Sequence, residues 1–171
     1  MRAGAVGRVA LPAAIRDALV AHAAAESPNE MCGFIIGTAP PADGGLALRW
    51  EPARNAAASP LRFDVAPEDL IRVFLEVDDR GEAVWAVVHS HVRSAAVPST
   101  TDIAEAAHPD ALHVLVSLAT DDAVRLDIGP ADSATLRTGD ATPAASADDA
   151  SVRAWRIVGG VAVEVALEIV E

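Results

Sequence analysis

The sequence predicts a mixed α/β fold of the α+β type: a single domain whose central, mainly antiparallel sheet is flanked by helices and ends in a C-terminal hairpin. Three observations predict it. Met31 to Gly37, Ala83 to His89 and Leu112 to Leu118 are short, continuous apolar runs bounded by turn residues, as buried strands are. Segments with helical periodicity start at Pro12 and Pro67 between strand-like stretches. Neighbouring strands are often joined by short turns, without a strict strand-helix-strand rhythm. The 171 residues suit one compact domain over 1–171.

Each element has its own signal. A short strand over Gly7 to Ala10 precedes a helix opened by Pro12 and ended by Ser27-Pro28-Asn29, with Leu11, Ile15, Ala18, Leu19 and His22 on one stripe. Met31 to Gly37 pairs with Leu46 to Trp50 as a hairpin turning at Pro40-Pro41 and Gly44-Gly45. Asn55 to Pro60 is an Ala/Ser/Pro loop. Pro67-Glu68-Asp69 starts a second helix with Leu70, Val73, Phe74 and Val77 on one face, closed by Asp79-Arg80-Gly81. From Ala83 to His89, period-two alternation sends Val84, Ala86 and Val88 to one face and Trp85, Val87 and His89 to the other. Pro98-Ser99 introduces a third helix, expected from Thr100 to about His108. Leu112 to Leu118 is a further buried strand, with Val124 to Ile128 expected as its antiparallel neighbour. Residues 129–150 have hardly a large apolar side chain and read as a mobile loop. Arg153 to Val158, Gly159-Gly160 and Val161 to Val170 read as the terminal hairpin.

Composition narrows the chemistry. There are 38 alanines and no lysine, so all 13 basic residues are arginine; lysine Schiff bases and phosphate-binding P-loop lysines are excluded. Against them stand 25 acidic residues, a formal charge of -12, so neither nucleic acid nor a membrane surface is an expected partner. Cys32 is the single cysteine, which excludes an internal disulfide and a multi-cysteine zinc site. Arg16 and Asp17 interrupt the apolar N-terminal stretch, so a secretory leader is not expected, and the cytoplasm is the expected compartment.

The informative stretch runs from Val88 to Asp102. His89 and His91, at i and i+2 on a strand end, project from one face and can meet one metal ion. Asp102, returning after ten intervening residues in the first turn of the next helix, can bring a carboxylate to the same point. Two histidines and one carboxylate, with no evident fourth ligand, match the ligand count of a catalytic zinc site. Hydrolysis also needs a carboxylate near the metal but not bound to it, to move a proton towards the leaving amine. Glu30, directly before the first buried run, is the candidate. Ser99, three residues before Asp102, is placed to supply an oxyanion donor.

The order Glu30, His89-Ser90-His91, seven residues, Ser99, two residues, Asp102 resembles the signature of the JAB/MPN-domain (JAMM) zinc metalloproteases. Pro28-Asn29-Glu30-Met31-Cys32-Gly33, Asn55 to Pro60 before Arg62-Phe63, Pro109-Asp110-Ala111 and Arg153 to Ile157 resemble its small bacterial branch. With 5 His, 9 Ser and 15 Asp in the chain, the His-Ser-Asp spacing arises by chance in under about one chain in a thousand. Val92 departs from the proline that often follows the second histidine. The resemblance implies an MPN/JAB-like fold, Zn2+ on His89, His91 and Asp102, and catalysis by Glu30 and Ser99. It also implies a ubiquitin-like sulfur-carrier protein as partner, cut in its extended C-terminal tail.

Plainer readings stand beside these. Ser99 to Asp102 is also an ordinary capping box. Ser90, between the two histidines, points to the opposite face and suits a structural hydrogen bond. His22, His108 and His113 fall outside the metal pattern, with His108 expected at a helix C-terminus. Cys32 reads as a buried small hydrophobe, and Trp50, Trp85 and Trp155 as core or interface residues. Arg54, Arg62 and Arg93 are expected in loops near the substrate groove. A deconjugating isopeptidase and a non-catalytic MPN-like scaffold are the rival functions, and a homodimer is left open.

Overall fold

The computed structural model describes residues 7–119 and 150–171. Strand β1 (Arg8–Pro12) leads into helix α1 (Ala13–Glu26), and β2 (Cys32–Gly37) turns through a short 3-10 segment into β3 (Ala47–Ala53). Helix α2 (Pro67–Arg80), β4 (Ala83–His91), α3 (Thr100–Ala104), β5 (Leu112–Ser117), β6 (Ser151–Val158) and β7 (Val161–Val170) follow. The strands form one seven-stranded sheet in the order β1-β7-β6-β5-β4-β2-β3. Most neighbours are antiparallel, while β1 with β7 and β4 with β5 are parallel.

The continuous apolar runs are explained by burial on both faces of the sheet. On one face α1 buries Ile15, Leu19, Val20 and Ala23 against Met31, Ile35, Val88, Val114 and Val165. On the other, Val73 and Val77 of α2 pack on Cys32, Phe34, Ile36 and Val87. A third cluster, Ala96, Leu115, Trp155 and Ile157, receives Ile103 from α3. Gly81 ends α2 in the left-handed conformation (φ +62°), as its sequence position suggested. Gly33 allows β3 to approach, because a Cβ there would overlap the Glu51 carbonyl and the Trp50 indole.

Three expectations need correction. Strict alternation along β4 fails: Ile35 pairs with Ala86 but Ile36 with Val84, so Trp85 is the extra residue of a bulge. Trp85 therefore joins Ala86 and Val88 on the α1 face, while Val84 packs with Val87 on the α2 face. Helix α3 stops at Ala104, and His108 lies beyond it with φ +62°. The antiparallel neighbour of β5 is β6, and β4 occupies its other edge, so the place expected for 124–128 is taken. That segment and residues 129–149 lie outside the described residues.

Candidate active site

His89 and His91 end β4, opposite Leu115 and Ser117 of the parallel β5, and His89 shares the α2 face with Val87. Asp102 arrives from the first turn of α3. His89 Nε2 lies 3.2 Å from His91 Nε2 and 3.3 Å from Asp102 Oδ1, and His91 Nε2 lies 3.4 Å from Asp102 Oδ2. These edges fit a metal. One nitrogen from each ring and one oxygen of Asp102 all lie within 4.8 Å of one another, close enough to meet a single ion. The two-imidazole, one-carboxylate donor set suits zinc. Each partner is also held. His91 Nδ1 lies 2.8 Å from the Ala95 carbonyl, so that nitrogen carries the proton and Nε2 keeps its lone pair. The His89 ring is stacked on Phe63 at 4.4 Å.

Ser99 and Asp102 form the expected capping box, and the box also shapes the cluster. Ser99 N–H donates to Asp102 Oδ2 at 2.7 Å, and Asp102 N–H donates to Ser99 Oγ at 3.1 Å. The Ser99 hydroxyl thereby keeps its own hydrogen for another acceptor, and it is exposed. One carboxylate thus both starts the helix and joins the histidines.

Glu30 is 5% exposed and enters the same neighbourhood from the start of β2. Burial pushes its carboxyl up to about 7, with His91 pulling it down and Asp102 adding to the rise. Asp102 goes the other way: burial works against ionisation, but His89, His91 and the Ser99 N–H hold it well below the usual carboxylate range. Burial lowers His89, while His91 is raised because the Asp102 carboxylate and the Ala95 carbonyl outweigh its burial. Two carboxylates with opposed shifts are the usual sign of divided roles.

Two devices hold the cluster in place: an Asn55 clasp that had not been identified from sequence, and the structural hydrogen bond expected of Ser90. Asn55 Nδ2 donates to the Glu30 carbonyl at 3.0 Å and to the Arg62 carbonyl at 3.1 Å, while its Oδ1 accepts from the Ala57 and Asp64 amides. Together with the Glu30 N–H to Ser59 carbonyl bond of 2.9 Å, this clasps Glu30 to the loop at 55–64. The signal available was one of only two asparagines standing in an Ala/Ser loop. Ser90 Oγ accepts from the Met31 N–H at 2.7 Å, so the residue between the two histidines fixes the residue after Glu30.

The remaining candidates separate from the cluster. Cys32 is fully buried, donates to the Ala53 carbonyl, and burial pushes its thiol up to about 12, so it is inert packing. His22 pairs with Glu26 and sits edge-on to Trp50. His108 packs against Phe74, and His113 is buried on β5, where burial lowers it to about 4. Trp85 and Trp155 donate to the Gly45 and Ala96 carbonyls. Arg54 is engaged by Asp69 and Glu68 of α2, whereas Arg62 borders a cavity of about 210 Å³ beside His89 and Asp102. Arg93 is exposed. Among the described residues, no helix is long and apolar enough to cross a membrane.

The chain is similar to several known proteins. Residues 12–128 match the family described as prokaryotic homologs of the JAB domain. Over 117 residues the chain is 34% identical to the CysO-cysteine peptidase of Mycobacterium tuberculosis, covering 68% of this chain and 78% of that protein. It is 30% identical over 115 residues to the desampylase of Haloferax volcanii, covering 64% and 81%. A solution structure of a protein from Desulfitobacterium hafniense superposes with a TM-score of 0.70 at 21% identity, covering 95% of this chain and 92% of that one, which shows the shared fold. With the family match spanning most of the chain, the protein belongs to the prokaryotic JAB-domain family.

Proposed function

We propose that the protein is a zinc-dependent peptidase that hydrolyses an amide bond in the C-terminal tail of a ubiquitin-like sulfur-carrier protein, releasing a terminal residue after Gly-Gly. The observation that carries this reading is the cluster of His89, His91 and Asp102, whose ligand atoms all lie within 4.8 Å of one another, with a buried Glu30 beside it. The similarity to proteins named CysO-cysteine peptidase and desampylase supports a ubiquitin-like substrate.

His89, His91 and Asp102 would hold the ion. Zinc in such a site polarises a carbonyl and lowers the pKa of a water. Glu30, with its carboxyl near neutrality, accepts a proton and returns it to the leaving amine. The Ser99 hydroxyl, whose oxygen already accepts from Asp102 N–H, turns its hydrogen to the oxygen on which negative charge develops. Phe63 against His89 and the Asn55 clasp on Glu30 keep both groups from drifting, which conserves the alignment of base and carbonyl.

The experiment is cleavage of purified carrier proteins extended beyond Gly-Gly by single residues, compared with free peptides of the same tail. The expected result is hydrolysis with kcat/KM far higher for the whole carrier, because its folded body contributes binding energy. Equal rates on peptide and carrier would indicate an unspecialised peptidase. Cleavage of lysine-linked conjugates alone would favour the isopeptidase reading, which the desampylase similarity keeps in view. Zinc uptake with no cleavage of any carrier would favour a scaffold.

A further inference from the structure

Outside the metal triangle, two deeply buried ring nitrogens have no hydrogen-bond partner among the described residues: Nδ1 of His89 and Nε2 of His113. The side chains are 1% and 5% exposed, so solvent at large does not satisfy them. Both residues line the same cavity of about 210 Å³, together with Phe63, Asp102 and His108. Register explains the meeting. His113 pairs with Val87 across the parallel β4/β5 ladder, and Val87 and His89, two apart, share a face.

The two orphaned atoms are complementary. His89 Nε2 faces His91 and Asp102, so when its lone pair is given to a metal the ring proton sits on Nδ1, a donor lacking an acceptor. On His113, a ring proton carried on Nδ1 leaves the unpartnered Nε2 as an acceptor lacking a donor. No direct bond joins the rings. One water placed between the rings would satisfy both, accepting from His89 Nδ1–H and donating to His113 Nε2.

We propose that His113 is a positioning residue for the metal ligand His89, acting through one water held between the two rings. The inference rests on the metal-centre reading above. It assigns His113 the task that the Ala95 carbonyl performs for His91: fixing tautomer and ring orientation and raising ligand basicity. His113 acts on the metal site and leaves substrate choice to other residues.

The test is zinc affinity of the full chain, measured by chelator competition. His113→Leu is expected to weaken zinc binding by about 10- to 100-fold. His113→Gln, whose carboxamide oxygen offers an acceptor near the position of Nε2, is expected to recover most of that loss. Thermal unfolding of the metal-free variants checks that each is folded. Nitrogen NMR of the histidine-labelled, zinc-loaded parent needs no substitution: His89 and His113 should each carry their proton on Nδ1 only, with the His89 proton exchanging slowly. Parent-like zinc affinity in folded His113→Leu, or a proton on His113 Nε2, overturns the proposal. A parent-like zinc affinity combined with a changed KM overturns it in favour of a substrate-side role. A parent chain that takes up no zinc overturns the metal-centre reading itself, and the two failures are thereby distinguished.

Discussion

His89, Ser90 and His91 are consecutive, yet they serve two unlike faces of one sheet. On the α1 face the cluster around Leu19, Met31, Ile35 and Val88 is apolar, and Ser90 Oγ accepts the Met31 N–H there. On the α2 face the packing is broken by four ionisable groups, Glu30, His89, His91 and His113, each nine-tenths buried or more. Strand alternation makes this division automatic: a period of two sends ligands one way and their anchor the other. The anchored face supplies rigidity, and the reactive face bears the desolvation cost that tunes its groups. Burying polar groups is tolerable on one side because the other side is well packed.

Breaking the reactive face should have the largest effect. The double substitution His89→Ala/His91→Ala removes two of three ligands; elemental analysis should find less than about a tenth of a zinc per chain, and turnover should vanish. Retained zinc would show that the ion lies elsewhere. Glu30→Gln comes next, keeping shape and zinc content while lowering kcat by roughly 10² or more.

The same substitution sharpens the contrast through stability. Because the Glu30 carboxyl is raised in the folded chain, its contribution to stability is complete below about 4.5 and is lost as pH rises through about 7. Metal-free Glu30→Gln should therefore exceed the metal-free parent in stability above pH 7, by up to about 3 kcal/mol. Buried His113 works in the opposite sense, losing stability as pH falls from about 6.5 through about 4, so the difference between parent and variant isolates Glu30. Chemical denaturation at pH 5 and pH 8 reads it directly.

Smaller effects belong to the anchored face. Ser90→Ala strands the Met31 N–H, at a cost of about 1–3 kcal/mol, and should lower turnover about tenfold with zinc retained, because Glu30 loses its tether. Leu19→Ala, at a fully buried position remote from the cluster, should cost about 2.7–5 kcal/mol in stability while leaving turnover per folded molecule unchanged. A large drop in that turnover would mean that the two faces are coupled beyond Ser90.

What could be read from residues alone follows from the same division. The doubly buried strands were legible because burial on both faces writes an unbroken apolar run, and the cluster of His89, His91 and Asp102 was legible because its three residues lie within fourteen residues of one another in a fixed spacing. The bulge at Trp85 was not, because Val84 and Trp85 are both apolar and exchanging their faces leaves the pattern unchanged. The length of α3 was overestimated because Ala104, Ala106 and Ala107 favour helix, while the positive φ of His108 before Pro109 is set by the turn into β5. Asn55 and His113 gained their meaning from partners distant in sequence, the Glu30 carbonyl and the His89 ring, to which no local periodicity points.

The edge of the sheet has a consequence for synthesis. Among the described residues strand β1 pairs only with β7, Arg8 opposite Ala166 and Pro12 opposite Val170. On the ribosome the N-terminal strand emerges early and waits for almost the whole chain before its ladder can close. In that interval α1 can begin to collect the apolar side chains of β2, β4 and β5, but the hydrogen-bonding groups of β1 face open water or any other extended chain nearby. Translation pauses or truncations ahead of residue 161 would therefore leave a chain in which His89, His91 and Asp102 are all present and whose sheet is still open at one side, a nascent form for chaperones to shield.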